Sequence, residues 1–180
     1  MATTTPHRTA RAVTYQEDII TSSAARKTLA VGRIIIGWVF LWAFVDKLFG
    51  LGFMTPAERA WINGGTPAQG YIKGIEGPFA GFFQVFANPF GDALFMAGLL
   101  GIGVAMIAGA GLKIAAVTGT LLMLFMYLAE LPLALGGTNP ITDSHWVEAM
   151  LLIISAVTLS GDTWGLGKWW ARKVGNSWLR

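Results

Sequence analysis

The chain has 180 residues, 54% hydrophobic and 13% charged, with a formal net charge of +3. A soluble domain usually carries about 25% charged residues, so this shortfall and a mean hydropathy of +0.56 argue against a soluble domain and for a multi-span membrane protein. The absence of cysteine excludes a disulfide framework, thiolate metal sites and a CxxC redox pair, while the clustering of basic residues at expected membrane edges explains a pI near 9.5 without nucleic acid.

Residues 1–27 read as a cytoplasmic basic tail, with His7, Arg8, Arg11, Arg26 and Lys27 and a short interfacial helix near Tyr15–Ser22. No cleavable signal is expected, because no A-x-A-like site follows the first apolar run. The first span is predicted over 28–51. As a helix it is roughly 36 Å long, enough to cross a hydrocarbon core of about 30 Å. Arg33, Gly37, Phe40, Phe44 and Lys47 share one face of it, and Trp38, Trp42 and Asp46 lie on a neighbouring face.

Residues 52–91 are too polar and Gly-rich to span and are expected to form an outer segment. Thr55-Pro56 and Thr66-Pro67 each place a capping residue before a Pro, predicting two short helices, and Gly77–Asn88 reads as an interfacial or re-entrant run. A second span is predicted over 92–110, with Ala97, Gly101, Ala105 and Gly109 as a small-residue stripe for close helix approach. The third span, 113–131, follows a Gly111-Leu-Lys113 hairpin and stops at Pro132. After a turn at 135–140, Asp143 or Ser144 caps a short fourth span over 145–159. Residues 166–180 form a Trp/basic interfacial tail. The whole is an all-α, integral membrane four-helix bundle, with short interfacial helices in the long loop between spans one and two.

Nine Lys and Arg residues (8, 11, 26, 27, 113, 168, 172, 173, 180) fall on one side of this arrangement and three (47, 59, 73) on the other. The positive-inside rule then puts both termini in the cytoplasm of a plasma-membrane protein and 52–91 outside.

The polar residues of the spans gather at the outer level. Asp46 and Lys47 close span one, Tyr127 and Glu130 lie near the end of span three, and His145 and Glu148 begin span four. These six form a candidate polar pocket roofed by 52–91; the alternative is that they simply end the helices at headgroup level. Glu130 and Glu148 are the strongest pair, and Lys47 is expected to pair with one of them, because a lone buried carboxylate loses hydration. Arg33 is expected either to snorkel to the cytoplasmic headgroups or to contact a ligand or partner. No haem pair, P-loop, HExxH or metal motif is present, and Gly98–Gly103 reads as helix-packing glycine. No residue pattern names a reaction.

Arg33-x3-Gly37-x2-Phe40-Leu41-x5-Lys47-Leu48 resembles the DoxX/DoxD family of four-span membrane proteins. Gly65-Thr-Pro-x2-Gly70-Tyr-x-Lys73-Gly, Gly77-Pro-Phe-x2-Phe82-Phe and Asn139-Pro-Ile-x4-Trp146-x-Glu148-Ala are similar to its DoxD-like branch, which includes the membrane subunit of thiosulfate:quinone oxidoreductase. The likeness covers about residues 28–165 and departs at Gly165-Leu-Gly-Lys168, where the family usually has an aspartate. It implies the fold, membrane lipid around the chain, and a protein partner or homo-oligomer. Three functions remain open: an accessory or partner-docking subunit, a quinone-linked redox subunit using thiosulfate, and a small-solute or ion carrier. No resident cofactor is evident, and quinone is the one the likeness suggests.

Overall fold

The computed structural model describes residues 12–131, 139 and 141–180. Among these the chain is all-helical, without strands. The tail residues His7, Arg8 and Arg11, the stop at Pro132 and most of the 135–140 turn lie outside the described residues. Eight α-helices follow in order: α1 Gln16–Ile19, α2 Ser23–Phe49, α3 Pro67–Ile72, α4 Ala80–Gln84, α5 Pro89–Ala108, α6 Leu112–Ala129, α7 Ser144–Val157 and α8 Gly167–Val174. Short 3-10 turns occur at Ala57–Arg59, Trp61–Asn63 and Ser160–Asp162.

Three helices, α2, α5 and α6, are long and apolar enough to cross a membrane; α7, with 14 residues, is shorter. Their ends are set by local chemistry. The Ser22 hydroxyl accepts from Ala25 N–H and starts α2 five residues before the expected Thr28; Gly50, left-handed at φ +66°, ends it. Asn88 accepts from Gly91 N–H with Pro89 at the first helical position, so α5 begins at residue 89 and not 92. Asp143, not Ser144, caps α7 through His145 N–H at 3.0 Å.

The helices pack α2 on α5, α6 on α7, and more lightly α5 on α6 and α2 on α7. The core lies between them, with Ile36, Phe40, Met96, Met106, Met123 and Leu152 all buried. Between lipid-surrounded helices, close packing takes the place of a hydrophobic drive. It is closest at glycines: a Cβ on Gly37 would lie 2.9 Å from Ile107 N, and one on Gly103 2.7 Å from Leu41 N. The expected stripe is therefore corrected. Ala97 and Gly101 face outward and nothing stands within 4 Å of a Cβ on Gly98 or Gly101; of the stripe, Gly109 does pack closely, against Gly161, and Gly103, outside the stripe, makes the approach to α2.

The 52–91 connection folds onto the far ends of α5 and α6. Ala68, Ile72 and Phe83 form a second apolar cluster with Ala129, flanked by Phe86, Phe95, Phe125 and Leu128. Pro56 precedes a 3-10 turn in place of an α-helix, while Pro67 opens α3 as expected. At the opposite end of the molecule, α1 and its neighbours dock on the 160–180 region. Asn176 Nδ2 donates to Ala12 O at 3.0 Å, and Lys168 pairs with Glu17 at 2.7 Å. This end is called the arginine pole below, and the α6–α7 connection the histidine pole.

Candidate functional site

The charged residue deepest in the first span is not a headgroup contact. Arg33 is fully buried. Its Nη1 donates to the carbonyls of Met106 and Ile107, the latter at 2.8 Å, and its Nη2 to those of Thr163 at 3.3 Å and Trp164 at 3.0 Å. The last four carbonyls of α5 are thereby all satisfied: Ala105 O by Gly109 and Ala110 N–H, Met106 and Ile107 O by Arg33, and Ala108 O by Leu166 N–H at 2.7 Å. A cation at a helix C-terminus also complements the helix dipole. In place of the expected snorkelling or external ligand, the buried Arg33 gives its donor bonds to main-chain carbonyls of the chain itself.

The space for the guanidinium comes from glycines. A Cβ on Gly109 would lie 3.1 Å from Nη1, and one on Gly165 3.1 Å from Nη2. Gly161 presses closer still on Gly109, leaving 2.1 Å between a Cβ there and Gly109 O.

Two buried carboxylates do the complementary job for N–H groups. Asp46 accepts from Phe53, Met54 and Thr55 N–H at 3.3, 3.0 and 2.9 Å, pinning the chain as it leaves α2. Asp92 accepts from Ala68 N–H at 2.7 Å, Gln69 N–H at 3.0 Å and the Gln69 side chain, capping α3. Thr66, the expected cap, makes no side-chain capping bond. Sequence reading passed over Asp92, although an Asp three residues past Asn88-Pro89 is well placed for it.

The expected six-residue pocket therefore divides. Asp46 is engaged by backbone. Lys47 lies over the Phe95 ring at 6.0 Å, a cation–π contact. It makes no ion pair within 4.0 Å among the described residues, so its expected pairing with Glu130 or Glu148 is not formed. Glu130, expected deep, is exposed; Glu148 is half-buried. Met123 on α6 and Leu152 and Ser155 on α7 face inward.

What gathers at the histidine pole is a smaller group. His145 Nδ1 lies 2.7 Å from Asp143 Oδ2. An ionised Asp143 requires Nδ1 to carry the hydrogen, which leaves Nε2 as the acceptor in neutral histidine. Glu130, Asp143 and His145 each present one donor atom within 4.8 Å of the others, a separation a cation can bridge. The Tyr127 hydroxyl donates to Ile141 O at 2.7 Å, and its ring meets Trp146 edge-on at 5.6 Å. Burial first, and the Glu130 charge second, push the Tyr71 phenol above its ordinary range, so α3 lies within electrostatic reach of the end of α6.

No family model matches the chain, and no curated protein and no solved structure matches it either. The likeness to the DoxX/DoxD family rests on the motifs alone.

The arginine pole holds the polar network that sequence reading missed. Arg180 and Asp162, both nearly buried, pair at 2.9 Å, and Asp162 also accepts Gln16 N–H at 2.9 Å. Thr163 Oγ1 donates to Gln16 Oε1 at 2.6 Å, and Arg180 lies over the Tyr15 ring at 5.6 Å. The partners are more than 140 positions apart in places, and no local pattern announces them.

Proposed function

We propose that the chain crosses the plasma membrane four times, DoxX/DoxD-like, with both termini cytoplasmic and 52–91 outside, and serves as an accessory or partner-docking subunit of a membrane complex. The observation that carries this reading is the fate of the intramembrane charges. Arg33, Asp46 and Asp92 are all engaged in closing backbone ends, a structural use. The titratable groups at the end of α6 and the start of α7, Glu130, Asp143 and His145, instead gather at the histidine pole, and the 52–91 connection exposes Phe53, Met54, Ile62 and Val85. Exposed apolar side chains beside polar ones suit a docking surface or the membrane interface. Purification from native membranes in mild detergent tests it. A stoichiometric partner should be retained by Glu130→Gln and Glu148→Gln and lost when the exposed apolar residues of 52–91 are replaced by serine. Loss of the partner with the carboxylate changes alone would overturn it.

One observation favours the quinone-linked reading. Tyr127, His145 and Glu148 lie at one level, with Asp143 holding the imidazole, so the group can donate hydrogen bonds and pass a proton. Purified protein should then carry quinone, or reduce it with thiosulfate when its partners are present. Absence of both removes this reading. The carrier reading draws no support from Arg33, Asp46 and Asp92, whose hydrogen bonds go to the fold itself.

A further inference from the structure

A groove of about 400 Å³ runs along the face shared by α6 and α7. Its walls are largely apolar, with Ala116, Val117 and Leu121 on α6 and Ile153 and Val157 on α7, and include Thr120, whose buried Oγ1 has no hydrogen-bond partner among the described residues. Val117 and Leu121 are about half exposed and Val157 about two-thirds, so the groove opens to whatever surrounds the helices. Lys113 and Trp178 stand at one end and Leu124 at the other. The eleven-residue step from 113 to 124 along α6 is roughly 16 Å, about half of a hydrocarbon core. That is the depth of one leaflet.

The Lys113 end belongs to the arginine pole, where exposed Trp169, Trp178, Arg172 and Lys173 mark a membrane–water boundary. Lys113 Nζ donates to Ser177 O at 3.1 Å, and among the described residues no carboxylate lies within 4.0 Å of it. The Lys113 N–H donates to Arg180 O at 3.1 Å, so residues 177–180 pack against Lys113 without an Asp or Glu side chain to pair with its ammonium.

We propose that this groove holds an acyl chain of an anionic phospholipid, with the lipid phosphate against Lys113 and beside Trp178. The proposal rests on the membrane-embedded reading and is independent of the docking and quinone readings. Charge complementarity at the boundary and a leaflet-length apolar channel below it select a lipid over a free anion, which has no use for the channel. They also select an anionic headgroup over a zwitterionic one.

Native mass spectrometry of the purified full chain, mixed with equal amounts of dioleoylphosphatidylglycerol and dioleoylphosphatidylcholine, tests this. The glycerol lipid should be retained about fivefold over the choline lipid, the worth of one basic residue at an anionic surface. Lys113→Gln should bring that ratio close to one, and Lys113→Arg should keep it. Val117→Trp, at an exposed position, should fill the groove and reduce retention of both lipids. An unchanged ratio in Lys113→Gln would overturn the proposal, as would undiminished retention in a folded Val117→Trp. Displacement of the lipid by millimolar inorganic phosphate would reassign the site to a free anion and overturn it. So would a dimer that Val117→Trp abolishes and that retains no lipid. If Val117→Trp fails to fold, the Lys113 pair decides alone.

Discussion

Arg33 in the middle of α2 donates to the carbonyl of Ile107, 74 positions later, at 2.8 Å. The bond closes the C-terminus of α5 and fixes how α2 and α5 cross, since Gly37 packs against Ile107 one turn further along α2.

Removing this cap should be costly. Arg33→Met leaves the carbonyls of Met106, Ile107, Thr163 and Trp164 without their donor, and each buried unsatisfied group costs about 1–3 kcal/mol. A loss of about 3 kcal/mol or more is expected in detergent thermal unfolding. Arg33→Lys should recover only part of it, because an ammonium cannot fork across four carbonyls. An unshifted melting temperature in Arg33→Met would show the cap to be dispensable.

The glycines around that cap should divide sharply from those on the open face of α5. Gly161→Ala puts a carbon 2.1 Å from Gly109 O, and Gly109→Ala adds strain at φ +73°. Both should fail to accumulate as folded protein. Gly98→Ala and Gly101→Ala meet nothing and should gain up to about 1 kcal/mol of helix stability. Equal behaviour of the two pairs in expression and melting assays would contradict the packing described.

Asp46→Ala should loosen the 52–91 connection without unfolding the helices. Three N–H groups at 53–55 lose their acceptor, so hydrogen exchange should rise there first. Asp92→Ala should do the same at 68–69. Rapid exchange spreading through α2 and α5 would mean that the carboxylates hold more than the connection.

Tyr71 offers a pH test of how α3 meets α6. Its phenol titrates above the ordinary value near 10, through burial first and the Glu130 charge second. A raised folded value for an acid favours the neutral form. The associated stability is present below the unfolded pKa and is lost as pH rises through the folded one, at strongly alkaline pH. Glu130→Gln should lower the Tyr71 midpoint in an ultraviolet titration read against Tyr71→Phe. No change would place Glu130 out of reach of α3.

The absence of native cysteine makes topology directly testable. Single cysteines at the exposed positions Ser23, Ile62 and Lys173 should react with an impermeant maleimide in intact cells only at 62. Labelling of 173 from outside would reverse the proposed orientation.

The three long apolar helices and their order were legible because length and apolarity are local. Their ends were legible only to within a few residues: α2 runs Ser23–Phe49 against an expected 28–51, and α5 runs Pro89–Ala108 against an expected 92–110, each bounded by local capping chemistry. The inward face of α2, from Arg33 through Phe40 to Phe44, followed from helical spacing alone. The polar residues misled because the reading looked for side-chain partners. Lys47 was matched to a carboxylate and lies over Phe95; Asp46 was matched to a pocket and meets three N–H groups.

Apolar runs, capping residues and helical spacing are enough to specify an all-helical chain with membrane-compatible helices, their approximate limits and the shared face of Arg33, Phe40 and Phe44 on α2. Those properties depend on side-chain apolarity and caps within a turn or two. Only the tertiary structure decided what Arg33, Asp46, Asp92 and Asp162 do. Most of their partners are main-chain carbonyls and N–H groups brought from as far as 146 positions away. Every residue but proline carries both groups, so a sequence holds no mark of which ones will be left unpaired at a helix end. That is settled only when the helices are in place and water is excluded.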